Sequence, residues 1–89
     1  MIDKEKKEAD ALKKVKELIK KDPTLSIICS RYEEQDLLRD DSIKDVVVVS
    51  LSDDIFGKSF YVYTDADTLD LLYVQGPHRY IEIVDFFEL

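Results

Sequence analysis

Four consecutive valines, Val46–Val49, sit inside the run DVVVVSL at 45–51. β-Branched residues pack well on a pleated surface, so the run reads as a central strand. Side chains alternate across a strand. Val47, Val49 and Leu51 therefore share one face, and Val46 and Val48 share the other. A strand that is apolar on both faces needs cover on both. In a chain of 89 residues, long enough for one domain with a modest core, that need governs everything else.

The first cover comes from the N-terminus. Ala11, Leu12, Val15, Leu18 and Ile19 recur at the i, i+3, i+4 spacing of an amphipathic helix over 3–21. Asp3–Lys7, Asp10–Lys14 and Glu17–Lys21 are i, i+4 pairs with the acid first. Asp22-Pro23 stops the helix, because the residue before proline avoids helical angles. The apolar stripe starts late, so the first two turns are expected to project into solvent or fray.

LSIICS at 25–30 reads as a buried strand that includes Cys29, and RYEEQDLLRDD leads a polar connection over 31–43. From 45 to 87 the pattern is an antiparallel meander. After the valine strand, Ser52–Gly57 turns the chain, with Gly57 able to take a positive φ. KSFYVYT at 58–64 is the next strand, and Asp65-Ala66-Asp67 turns again. TLDLLYVQ at 68–75 follows, with Asp70 inside it, then Gly76-Pro77, then RYIEIVDFF at 79–87. The expected fold is α+β over 1–89, an N-terminal amphipathic helix packed on a four- or five-stranded antiparallel meander sheet. One helix covers one face. The other requires the 31–43 segment, a second copy, or a different protein. Phe86 and Phe87 belong either to the core or to an interface.

The motifs that would carry chemistry are incomplete. An EF-hand loop started at Asp65 would have Leu69 at its fifth position, Asp70 in place of glycine at its sixth and Gly76 at its twelfth. Gly57-Lys58-Ser59 mimics the end of a phosphate-binding loop, but residue 52 is serine where glycine is required, and a strand follows instead of a helix. Cys29 and His78 are the only cysteine and histidine, one in a strand and one in a turn. The carboxylate pairs Glu33-Glu34, Asp40-Asp41, Asp53-Asp54 and Asp65/Asp67 sit in wet surroundings, unlike the split environments acid–base pairs need. No catalytic residue, metal site or cofactor is expected.

Charge points to partners. The chain carries −7 overall, unevenly. Residues 1–32 hold nine Lys or Arg against six Asp or Glu, while residues 33–89 hold four against fourteen. The acidic part disfavours direct nucleic-acid binding. The helix lysines are diluted by acids one turn away. No stretch is long and apolar enough for a membrane span, the start has no apolar core of a secretory signal, and a single cysteine fits a reducing cytoplasm. The expected function is a small acidic, non-enzymatic protein-binding module, of the antitoxin, immunity or anti-defence type, masking a basic nucleic-acid-binding surface. Its expected contact residues are Asp53, Asp54, Asp65, Asp67, Asp70, Tyr61 and Tyr63. The alternative is a self-associating structural or accessory subunit, a homodimer in its simplest form.

Overall fold

The computed structural model describes residues 3–88 of the domain read over 1–89. Helix α1 spans Lys4–Leu18 and tightens into a 3-10 turn over Ile19–Lys21. Asp3 caps its start, its side chain accepting from the Lys6 N–H at 3.0 Å. Five antiparallel strands follow in chain order: β1 (Leu25–Leu37), β2 (Ile43–Asp53), β3 (Ser59–Asp65), β4 (Leu71–Gln75) and β5 (Tyr80–Ile81). A short helix, α2 (Ile83–Phe86), ends the fold. No helix among the described residues is long and apolar enough to cross a membrane.

The valine strand is interior and buried from Val46 through Leu51. On its first face Val47, Val49 and Leu51 pack with Ala11, Val15 and Ile19 of α1, and with Val62 and Val74. The hydroxyl of buried Thr64 donates to the Val47 carbonyl at 2.9 Å, so this polar side chain enters the core satisfied. Ile81, Ile83, Phe86 and Phe87 close the same cluster, which places both phenylalanines against the core.

The second face is covered by residues from the 31–43 segment. Leu38 packs with Val46, Val48 and Tyr73, with Tyr63 and Leu72 alongside. The Arg39 guanidinium lies 4.7 Å from the Tyr73 ring centroid and 6.0 Å from that of Tyr80, and pairs with Glu82 at 2.7 Å. The β1–β2 turn is thus strapped diagonally across the sheet to the end of β5. Asp40 shapes this turn by accepting from the Ser42 hydroxyl at 2.6 Å and the Ser42 N–H at 3.1 Å.

Several expectations are corrected. The strand expected over 25–30 continues to Leu37, so residues 31–37 are strand and the connection is only 38–42. Polar residues are tolerated there because β1 is an edge strand. Cys29 is exposed, because a bulge between Ile27 and Cys29 shifts the register. The helix start does not project freely. The Ser30 hydroxyl donates to the Glu8 carbonyl at 2.9 Å, the Tyr32 N–H donates to the Glu8 carboxylate at 2.8 Å, and Lys4 pairs with Glu34. Asp70 is in a loop, since β4 begins at Leu71 after Leu69 takes φ +62°. The strand expected over 79–87 is reduced to Tyr80–Ile81, because Ile83, Phe86 and Phe87 have helical spacing and reach the core from α2.

Two measurements test the two covers. Leu51→Ala empties a fully buried position and is expected to cost about 2–5 kcal/mol in urea unfolding. Arg39→Ala removes a partly exposed ion pair and a ring contact together, for an expected loss of about 1 kcal/mol and a changed tyrosine near-UV circular dichroism signal.

Candidate functional site

Alternation along β3 sends Phe60, Val62 and Thr64 toward α1 and leaves Tyr61 and Tyr63 on the opposite face. Tyr63 stacks on Tyr73, with ring centroids 4.7 Å apart and planes 13° apart, and Tyr73 meets Tyr80 edge-on at 5.2 Å. The Tyr63 hydroxyl donates to the Gln75 side chain at 3.3 Å. Burial, then the Tyr73 hydroxyl and the Asp36 carboxylate, push the Tyr63 phenol up to about 12, so it stays a neutral donor.

The strap leaves part of this face open. A groove of about 350 Å³ runs between β1 and β3, floored by Val48, Tyr61 and Tyr63 and walled by Arg31, Glu33 and Asp36. Tyr61 is 36% exposed, and Arg31 stands 3.7 Å from Glu33. The groove therefore combines tyrosine rings with two carboxylates and one guanidinium.

The five expected aspartates divide into two groups at opposite ends of β3, about 20 Å apart for a strand of this length. At one end Asp53 accepts from the Ile55 N–H at 2.8 Å and the Phe56 N–H at 3.3 Å, and Asp54 accepts from the Ser26 hydroxyl at 3.0 Å. Both are engaged in shaping the β2–β3 turn, where Gly57 takes φ +67°. At the other end Asp65 accepts from the Asp67 N–H at 2.8 Å and the Thr68 N–H at 3.4 Å, and faces Lys44 at 3.6 Å. Partial burial opposes its charged form, but those amides and Lys44 outweigh it and hold its carboxyl below the ordinary range. Asp67 and Asp70 are exposed. Lys7 and Lys14 reach from α1 to the Asp67 and Leu69 carbonyls, at 3.4 and 2.6 Å, and fix the loop beneath them.

Of the expected contact residues, the structure brings Tyr61 and Tyr63 together and sets Asp65, Asp67 and Asp70 in one loop. It separates Asp53 and Asp54 from them. The carboxylates beside the tyrosines are Glu33 and Asp36, which a loop reading of 31–43 hid. The alternation Arg31, Tyr32, Glu33 was the signal: Tyr32 packs toward α1 while its neighbours turn to the groove. Ile55 and Phe56, the latter 73% exposed, are a second omission, displayed at the turn that Asp53 caps.

Among the described residues no three His, Cys, Asp or Glu side chains are grouped to hold a metal ion. Cys29 and His78 belong to elements about three strand spacings apart, on the order of 14 Å. Comparisons with protein-family models, with curated proteins and with solved structures find no match to this chain.

Asp65→Asn keeps the shape of the side chain and removes its charge. The lowered carboxyl stabilises the fold fully above the unfolded value of about 3.9, and that contribution is lost as pH falls through the lower folded value. The variant is expected to lose about 1 kcal/mol at neutral pH, with the gap closing in urea titrations below pH 4.

Proposed function

We propose that this protein is a small acidic, non-enzymatic binding module that docks its tyrosine groove on a basic surface of a partner protein. The observation that carries this reading is the open groove itself, with Tyr61 and Tyr63 on its floor and Glu33 and Asp36 in its wall. Tyrosine is favoured where a surface must be both apolar and wet, and carboxylates beside it select and speed the approach of a cationic partner.

Topology enlarges the acidic field. In a meander the β1–β2 and β3–β4 turns lie at the same end of the sheet. Asp40 and Asp41 from the first turn therefore join Asp65, Asp67 and Asp70 around the second. A basic surface that normally holds nucleic acid matches this layout, which favours an inhibitor of the antitoxin, immunity or anti-defence type. The single, exposed Cys29 suits a reducing cytoplasm.

The test is capture from the native host's lysate on the immobilised chain, followed by rising salt and mass spectrometry. The expected result is a basic nucleic-acid-processing protein that elutes as salt rises. Its capture should fall at least tenfold with the Glu33→Lys/Asp36→Lys variant and with Tyr61→Ala, both still unfolding cooperatively. Capture unchanged by these substitutions would overturn the reading. Recovery of only this chain, resistant to salt, would replace it with the self-associating subunit.

A further inference from the structure

A second cleft lies at the end of the sheet opposite the Asp65–Asp70 loop, between the β2–β3 turn that carries Asp53 and Asp54 and the β4–β5 turn. It measures about 450 Å³, within the range of small-ligand sites. Its floor is apolar, formed by Phe60, Ile81 and Phe86, with the Phe60 and Phe86 rings 5.1 Å apart and tilted by 55°. Gly76 gives the cleft its shape. A Cβ there would meet the Arg79 carbonyl oxygen and Ile81 Cδ1, each at 3.3 Å. The Gly76 N–H donates to that same carbonyl at 2.8 Å and closes the turn that carries His78 and Arg79.

The walls are cationic in the most acidic part of the chain. Residues 33–89 contain four Lys or Arg: Arg39, Lys44, Lys58 and Arg79. Arg39 and Lys44 are paired, with Glu82 and Asp65. Lys58 and Arg79 form no ion pair among the described residues, and both line this cleft with the only histidine, His78. Among the described residues Asp85 is the one carboxylate in the lining, against Lys58 and Arg79. Lys58, whose Nζ lies 5.7 Å from the Phe56 ring centroid, and Arg79 line the cleft together with the Phe60 and Phe86 rings, which suits a ligand with a carboxylate and an apolar body.

We propose that this cleft binds an apolar monocarboxylic acid. Its aryl or branched-alkyl body rests on Phe60, Ile81 and Phe86, and its carboxylate lies between Lys58 and Arg79. The apolar floor selects against short acids such as acetate. The site is independent of the tyrosine groove, which belongs to the other face of the sheet.

Amide NMR titration of the full chain at neutral pH with phenylacetate, phenylacetamide and acetate tests this. Phenylacetate is expected to give saturable shifts at Gly76, His78, Arg79 and Ile81, with a Kd on the order of millimolar for so small a ligand. Phenylacetamide, which lacks the charge, and acetate, which lacks the ring, should each bind at least tenfold more weakly. The Lys58→Gln/Arg79→Gln variant should lose at least tenfold in affinity while keeping a dispersed spectrum. Equal binding of the amide, unchanged affinity in the variant, or shifts confined to the Tyr61 groove would each overturn the proposal.

Discussion

Val46–Leu51 is buried without interruption, with one long helix among the described residues, and the rest of the fold answers that need. Each buried valine or leucine side chain is worth roughly 1.5–3 kcal/mol if both faces stay dry. Helix α1 meets the requirement on one side with a stripe of small and medium side chains. The other side is met more sparingly, by Leu38, Leu72, one arginine and Tyr63, Tyr73 and Tyr80, of which the first two stack and the third meets Tyr73 edge-on. The two covers differ in chemistry because a guanidinium and a phenol can close an apolar surface while keeping one end in water.

That sparing cover generates the candidate site. Leu38 and Arg39 protect the part of the face nearest their own turn and the β4–β5 side, and the groove between β1 and β3 stays accessible. Polarity is arranged around it by connectivity. Alternate turns of a meander fall at alternate ends, and here the turns at one end hold Asp40, Asp41, Asp65, Asp67 and Asp70 while Lys58, His78 and Arg79 gather at the other with Asp53 and Asp54. The cluster of Lys58, His78 and Arg79 thus stands opposite the Asp65–Asp70 loop, with Asp53 and Asp54 in the turn that carries Lys58.

Much of the architecture was legible because it rests on periodicity. The helix stripe, the proline stop, the valine strand and the turns at 52–57 and 65–67 follow from spacing and turn chemistry alone. What was not legible depended on tertiary context. RYEEQD is unremarkable as a loop and becomes strand only because Tyr32 can reach the helix side and Glu8 can satisfy its amide. IVDFF reads as the end of a strand and is a helix in the structure, with Phe86 against Phe60. At the candidate site, alternation along the strand puts Tyr61 and Tyr63 on one face, as they lie in the groove, whereas composition groups aspartates that the length of the sheet separates. Asp53 and Asp65 look like displayed charges in the sequence and are turn caps in the structure.

Strand order here is chain order, and this bears on how the protein assembles. Each strand pairs with the one made just before it, so loop closure is short at every step and the contact order stays low for a sheet protein. During synthesis α1, β1 and β2 can associate before the later strands exist, and β3, β4 and β5 then add at a single growing edge. The Arg39–Glu82 pair breaks this local rule, joining the first turn of the sheet to the end of its last strand. The tyrosine face is therefore clamped only when the whole sheet is in place, which makes it a reporter of completed folding while the helix face forms early.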